Sequence, residues 1–161
     1  RANWAAIEEF GTEKKGKRAA KAEGYGRCDL FLCSPRHRIE FAIEAKVAWQ
    51  RLSDESLDSG HKIGADLEKI DQQWTHAWSD AGALYKDEAD HRLAALFVVP
   101  YADQGEFDSS ALIGYVKRLP GIDACAYYFC DAKDFLKGSS GHFYPGVILA
   151  MRHRKRSTSD H

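Results

Sequence analysis

The sequence has little of what marks a specialised protein class. Its 161 residues include only 4 cysteines, 4 prolines and 1 methionine. Four cysteines in a chain of this length do not form a disulfide scaffold, and no Pro-rich linker divides the chain. The longest nearly unbroken apolar run covers residues 93–99, whereas a transmembrane helix needs about 20 apolar residues. We therefore predict a single domain over residues 1–161 with no membrane span.

Neither sign of charge dominates the composition. The chain has 23 Lys+Arg against 24 Asp+Glu, for a formal net charge of −1. This balance argues against a protein that coats nucleic acid through bulk electrostatics, so any nucleic-acid contact must be local. With 44% hydrophobic residues, the chain is also too apolar to be disordered. No charged-then-apolar leader is visible, and we expect a cytoplasmic protein.

Several common functional motifs are missing. The sequence has no G-x-S-x-G, Walker or G-x-G-x-x-G motif, which lowers the hydrolase-fold, NTPase and dinucleotide-binding alternatives. The cysteines occur as Cys28-x₄-Cys33 and Cys125-x₄-Cys130. Both pairs lie on predicted strands, where an offset of five places the two members on opposite faces. Buried strand cysteines are therefore a better interpretation than zinc ligands.

Hydrophobic periodicity predicts a mixture of strands and helices around one sheet. In chain order we predict a helix at 3–10 that resumes at 14–22, strands at 27–33 and 38–49 around a turn at 34–37, a loop at 52–60, a helix from Ile63 to Trp78, an apolar strand at 93–99, a helix at 109–119, and strands at 124–130 and 146–151. The unbroken apolar run at 93–99 is typical of a strand buried on both faces. The expected fold class is α/β or α+β, with a central mixed sheet flanked by helices.

Three charged residues in the predicted hairpin stand out. Glu44 and Lys46 lie two residues apart on one strand and should share a face. A hairpin centred on Arg36 and His37 places Asp29 opposite Glu44. The same register pairs Leu30 with Ile43 and Leu32 with Phe41 on the other face, which we expect to be the dry one. Directly opposed carboxylates repel, so this pair needs an explanation.

A divalent metal ion explains the two carboxylates. Mg²⁺ is typically held by one or two carboxylates together with water and substrate phosphate. Such a metal polarises a phosphodiester and lowers the pKa of bound water, and a lysine beside it can stabilise charge on the phosphate. The arrangement predicts phosphodiester hydrolysis with Mg²⁺, for which Mn²⁺ can substitute.

An Asp on one strand followed across a hairpin by Glu-x-Lys resembles the PD-(D/E)xK nuclease superfamily, which has the restriction-endonuclease-like fold. The resemblance covers about residues 2–100, and residues 101–161 would be C-terminal additions. It implies that Asp29 and Glu44 bind metal, that the carbonyl of Ala45 adds a ligand, and that Lys46 is the catalytic lysine. Cys28 stands where the motif's name places Pro, and no separate strand is evident ahead of Asp29.

The resemblance also suggests further site residues. Many members add a glutamate from the first helix, and of Glu8, Glu9 and Glu13 we choose Glu8, which lies nearest the apolar stripe of that helix. Phosphates could dock at a basic cluster and at polar positions of the long helix. These candidates are Lys14, Lys15, Lys17, Arg18, Lys69 and Gln73. A second basic cluster covers residues 152–156, and the segment after Asp103 is a candidate for a homodimer surface or a specificity element.

The expected function is therefore an Mg²⁺-dependent nuclease, with DNA as its partner. Two other classes stay open: a non-catalytic nuclease-like module that binds nucleic acid or protein, and a paired-carboxylate glycosidase that would not need Lys46. The alternative without function is that the three charged residues form an ordinary solvated strand face, although the neighbours of Glu44 are too apolar for one. Trp49 could stack on a base, but we expect it in the core. His37 and His61 could reach a substrate, although a lone His is more often a surface residue.

Overall fold

The computed structural model describes residues 4–14, 24–52, 63–83, 89–103, 109–131 and 134–155. It contains eight strands and two helices within those ranges, so the chain is α+β, as predicted at that level. The strands are β1 (Ala5–Lys14), β2 (Gly24–Ser34), β3 (Ile39–Leu52), β4 (His91–Ala102), β5 (Ala124–Phe129), β6 (Leu136–Lys137), β7 (Phe143–Tyr144) and β8 (Gly146–Lys155). The helices are α1 (Ile63–Ala83) and α2 (Ser110–Val116).

The strands are neighbours in one sheet in the order β1-β2-β3-β4-β7-β6, and β8 pairs with both β4 and β5. The chain also divides into two compact units, each built from several segments. The first comprises Arg1–Ala45, His76–Ala95 and Arg152–His161, and the second Lys46–Thr75 and Leu96–Met151. In the described residues, no helix is both long and apolar enough to cross a membrane.

The first unit contains an antiparallel three-strand segment. Strand β1 pairs with β2, from Ala5 opposite Cys33 to Lys14 opposite Gly24. The prediction of a helix over residues 3–10 is therefore wrong. The spacing of its apolar residues suggested a buried stripe, but Trp4 and Ile7 are 47% and 51% exposed. Pairing with β2 is a non-local interaction that such a short pattern does not reveal.

The β2–β3 hairpin agrees with its predicted register. Leu30 lies opposite Ile43, and Leu32 lies opposite Phe41. The chain turns at residues 35–38, where the amide of His37 donates to the carbonyl of Ser34 at 3.1 Å. Arg38 completes the turn with a φ of 51°, a left-handed conformation that is uncommon for a side-chain-bearing residue. The local turn and the apolar pairs together fix which face each hairpin residue occupies.

The second unit holds the larger hydrophobic core. Ile70 and Trp74 of α1 are buried there together with Ala48 of β3 and Leu96 of β4. The indole Nε1–H of Trp74 donates to the carbonyl of Pro120 at 2.9 Å, which satisfies the one polar group of that side chain. The predicted amphipathic helix is thus confirmed, and its stripe is the surface that packs on the strands.

Strand β4 is buried on both faces over part of its length, as its apolar sequence predicts. Three consecutive residues, Ala94, Ala95 and Leu96, are buried, although successive side chains of a strand point to opposite faces. Phe97 is 37% exposed, so the double burial does not cover the whole strand.

The C-terminal elements differ from prediction in length. Strands β5 and β8 form the expected pair, from Ala124 opposite Met151 to Phe129 opposite Gly146, but β8 continues to Lys155. Helix α2 ends at Val116 rather than 119, and its N-cap residue Ser109 makes no side-chain capping bond. The short strands β6 and β7 were not predicted, because two residues are too few to show a period.

A hydrogen bond between side chains links α1 and α2 within the second unit. The hydroxyl of Tyr115 donates to Oδ1 of Asp71 at 2.7 Å. Burial, the hydrogen bond to Asp71 and the charge of that carboxylate together raise the pKa of Tyr115 to about 12, from an ordinary value of 10. Each of these favours the protonated phenol over the phenolate.

This pKa predicts a loss of stability at high pH. Below pH 10 the phenol is protonated in both the folded and the unfolded chain. Between pH 10 and about 12 the unfolded chain ionises first, so the free energy of unfolding should fall across that window. Absorbance titration near 295 nm should show one tyrosine ionising late, and Tyr115→Phe should remove that step. Asp71→Asn should move the step to lower pH; an unchanged step would contradict the assignment.

Candidate active site

The candidate site lies on the β2–β3 hairpin. The register reaches Leu30 opposite Ile43, so one further step along each strand arrives at Asp29 and Glu44. The backbone amide of Ala45 donates to Oδ2 of Asp29 at 2.7 Å. A charged acceptor makes this a short and comparatively strong hydrogen bond. The carboxylate of Asp29 is therefore held at the residue that follows Glu44.

Glu44 is the most deeply buried charged side chain of the described residues, at 1% exposure. Its neighbour two positions back, Ala42, is fully buried. Leu30 and Ile43, on the face expected to be dry, are only half-buried. The expectation about the two faces is thus wrong, because the face of Glu44 is the more enclosed one. Carboxylates are seldom buried so completely unless charge or hydrogen bonds compensate them.

Lys46 follows two residues later in the same strand and is half-buried. Because strand side chains alternate, it projects from the same face of β3 as Glu44. Asp29, Glu44 and Ala45 belong to the first compact unit, and Lys46 is the first residue of the second. The continuous strand β3 carries the whole Glu44-Ala45-Lys46 segment.

Cys28 occupies the position before Asp29 and is fully buried. Its Sγ lies 3.3 Å from the carbonyl oxygen of Leu30 and 3.5 Å from that of Ile43. Burial raises the pKa of the Cys28 thiol, and the negative charges of Glu44 and Asp29 raise it further, against the lowering effect of these two hydrogen bonds. Cys28 is therefore a buried neutral thiol, held by two backbone carbonyls of the hairpin.

The other three cysteines are less buried than predicted, and one of them lies off the strands. Cys33 lies on β2 and Cys125 on β5, both half-buried, and Cys130 follows directly after β5. All four cysteines are free. In the described ranges, no group of three or more His, Cys, Asp or Glu side chains is placed to hold a metal ion.

The predicted role of Glu8 as an added site glutamate depends on a helix at residues 3–10, but this segment is strand β1. Glu8 lies on β1 opposite Leu30, and it is exposed. Residues directly opposite one another share a face, so Glu8 lies on the face of Leu30 rather than that of Asp29. The backbone position level with Asp29 is Glu9, between the paired residues Glu8 and Phe10.

Three of the six candidate phosphate-binding residues lie within the described ranges. Lys14 ends β1, whereas Lys15, Lys17 and Arg18 lie outside the described residues. Lys69 is exposed and Gln73 half-buried on α1, both in the second unit. Of all the predicted site residues, the structure brings together Asp29 and Ala45 by a direct bond, and Glu44 and Lys46 by their places on β3.

Trp49 is not a core residue. It is 56% exposed, whereas its neighbours Ala48 and Gln50 are buried. The predicted core role came from its apolar character, but the alternation of β3 turns it away from the core. His37 is exposed in the hairpin turn, and His61 lies outside the described residues.

A histidine pair in the first unit was missed from the sequence. Nδ1 of His91 and Nε2 of His153 are 2.7 Å apart, and the ring of His91 stacks on Phe41 with centroids 4.8 Å apart. Burial, followed by the charge of His153, lowers the pKa of His91. Next to the pair, the guanidinium of Arg152 lies 3.7 Å above the ring of Trp78. No spacing rule connects residues 62 positions apart, so only the fold reveals the pair.

Comparisons with known proteins identify no relative. Neither the scan against family models nor the searches of curated proteins and solved structures found a match.

The contact between Asp29 and Ala45 predicts a difference between two substitutions. Asp29→Ala removes the acceptor of the Ala45 amide and should lower the free energy of unfolding by about 1.5–3 kcal/mol, the usual contribution of a hydrogen bond to a charged group. Asp29→Asn keeps an oxygen acceptor and removes a charge near Glu44, so without metal it should be at least as stable as the natural chain. Urea denaturation measures both, and equal destabilisation by the two variants would contradict this account.

Proposed function

We propose that the protein is an Mg²⁺-dependent nuclease of restriction-endonuclease-like fold that hydrolyses DNA phosphodiester bonds. One observation carries the proposal: the Asp29 carboxylate accepts the amide hydrogen of Ala45, the residue between Glu44 and Lys46. An aspartate on one strand is thereby held against the Glu-x-Lys segment of the next. Two carboxylates and a lysine in this arrangement suit metal-assisted phosphoryl chemistry better than a solvated strand face.

The order of elements supports the proposed fold. Three consecutive strands, β1, β2 and β3, are followed by helix α1 and strand β4. The family core is a helix, three strands, a second helix and a strand, so all but the first helix have a counterpart in the described residues. In this proposal β1 corresponds to the first core strand, ahead of Asp29, in the segment where the sequence predicts a helix.

The donor set fits Mg²⁺. Asp29 and Glu44 supply two carboxylates, and the carbonyl of Ala45 supplies a third oxygen. Magnesium commonly takes one or two protein carboxylates and leaves its other positions to water and substrate phosphate, so it needs no cluster of three acidic side chains. A divalent ion would also compensate the buried charge of Glu44.

Each residue then has a distinct role. One or two bound Mg²⁺ ions would polarise the phosphodiester and lower the pKa of a water molecule. Asp29 and Glu44 would hold the metal through their carboxylate oxygens. The hydrogen bond from the Ala45 amide keeps the Asp29 carboxylate oriented. Lys46 donates to the attacking water or to the phosphate oxygen on which negative charge develops. Glu8 has no role in this proposal, because it lies on the face of Leu30 rather than that of Asp29.

The near-neutral charge of the chain is compatible with this substrate. The bare carboxylates repel phosphate, and a metal ion reverses the sign of the local field. We propose that Lys14, Lys15, Lys17, Arg18, Lys69 and Gln73 contact the DNA backbone. Four free cysteines fit a reducing compartment such as the cytoplasm.

Cleavage of DNA by matched variants tests the proposal. Glu44→Gln and Lys46→Ala should each abolish Mg²⁺-dependent cleavage of plasmid and of single-stranded DNA, with circular dichroism confirming the fold. Glu40→Gln and Lys117→Ala are the controls, because both residues are exposed and neither belongs to the proposed site; both should cleave normally. Cleavage that survives in both site variants, or that proceeds equally in EDTA, would refute the assignment.

A non-catalytic nuclease-like module is the second candidate. It is favoured by the lack of a group of three metal-binding side chains within the described residues. Such a module would retard DNA or RNA in gel-shift experiments without cutting it under any metal condition. RNA in the same incubations also shows whether DNA is the preferred substrate.

A further inference from the structure

Large apolar side chains of the second unit are exposed on the side of the strands away from the core. Trp49 is 56% exposed, Tyr128 68% and Leu136 74%. On β3, Ala48 and Leu52 are buried while Trp49 between them is not, so Trp49 faces away from that core. Single exposed apolar residues are common, but a group of them around one depression marks a binding surface.

These side chains line one open cleft with a volume of about 770 Å³. Its walls are aromatic and aliphatic, and its rim carries two carboxylates. The residues that matter here are Trp49, Tyr128, Asp131, Asp134, Leu136 and Tyr144. A cleft of this size is large enough for a small organic ligand.

The aromatic wall is held by its own packing. The rings of Trp49 and Tyr144 meet edge to face, with centroids 5.9 Å apart and planes at 75°. The ring of Tyr144 lies against Gly138, where a Cβ atom would come within 2.7 Å of ring carbon Cε2. A glycine at position 138 is therefore needed for this ring position.

The rim carboxylates are positioned by backbone hydrogen bonds. The amide of Asp134 donates to the carbonyl of Asp131 at 2.8 Å. Just before Asp131, the amide of Cys130 donates to the carbonyl of Pro145 at 2.9 Å, and the thiol of Cys130 lies 3.0 Å from the same oxygen. These contacts hold the start of the acidic rim next to the end of β7 and Tyr144.

The charge of the cleft selects its ligand. Asp131 and Asp134 are both exposed, and the described lining residues include no Lys, Arg or His. The nearby Lys137 lies over the ring of Phe143, 5.3 Å from its centroid, and is not part of the lining. Two negative charges beside electron-rich ring faces favour a cation. They disfavour a nucleic-acid strand, whose phosphates would lie near both carboxylates.

We propose that this cleft binds a small organic cation, an ammonium or guanidinium group carried on an apolar or aromatic body. The body packs against Trp49, Tyr144 and Leu136, and the charged end lies toward Asp131 and Asp134. The proposal concerns residues other than Asp29, Glu44 and Lys46, and it does not depend on nuclease activity.

A matched pair of probes tests the proposal: 2-phenylethylammonium, and 2-phenylethanol as its neutral counterpart. Calorimetry should show tighter binding of the cation, and the indole N–H signal of Trp49 should shift in NMR spectra. Asp131→Asn with Asp134→Asn should weaken binding of the cation about fivefold and leave the alcohol unchanged. Trp49→Ala should weaken binding of the cation about tenfold.

Neighbouring residues provide the controls. Tyr127→Ala removes an exposed tyrosine that does not line the cleft, and Asp123→Asn removes an exposed carboxylate outside it; both should bind the cation normally. The proposal fails if the cation does not bind at millimolar concentrations or binds no better than the alcohol. It also fails if replacing Asp131 and Asp134 by Asn leaves the affinity for the cation unchanged. Binding of oligothymidine that shifts the same Trp49 signal would overturn it in favour of a base-stacking platform.

Discussion

The hydrogen bond from the Ala45 amide to the Asp29 carboxylate is the constraint on which the candidate site depends. It exists because the β2–β3 register places Leu30 opposite Ile43, one residue short of Asp29 and Glu44. A slip of one residue would move every side chain of one strand to the other face and separate Asp29 from Glu44. The half-buried apolar pairs of the hairpin and its tight turn therefore determine which side chains meet at the candidate site.

Burial adds a second constraint. Glu44 lies on the more enclosed face of β3, where a charged group is retained only with compensation. Cys28, which precedes Asp29, is fully buried as a neutral thiol and adds no further charge. An apolar surrounding also strengthens the attraction of the carboxylates for a cation, since the screening by water is reduced. Burial of the Glu44 carboxylate costs free energy, but the same low screening would strengthen its attraction for a metal ion.

The parts of the fold that could be predicted are those in which local pattern and tertiary contacts agree. The hairpin register followed from its turn, and α1 followed from a stripe whose members Ile70 and Trp74 are buried. The pattern was misleading at β1, because Trp4 and Ile7 have the spacing of a buried helical stripe although both side chains are exposed. It misled again at Trp49, since its apolar character suggested the core while the alternation of β3 turns it outward. The cleft beside Trp49 could not be predicted, because its residues come from six strands and from the segment that follows β5.

Metal binding tests the central claim most directly, because it needs no knowledge of the substrate. Titration with Mn²⁺, followed by electron paramagnetic resonance, should show binding to the natural chain and to Glu40→Gln. Asp29→Asn and Glu44→Gln should each weaken that binding by at least about tenfold, the loss seen even for residues that only support metal ligands. Equal affinity of all four proteins, or no binding to the natural chain, would contradict a metal site formed by Asp29 and Glu44.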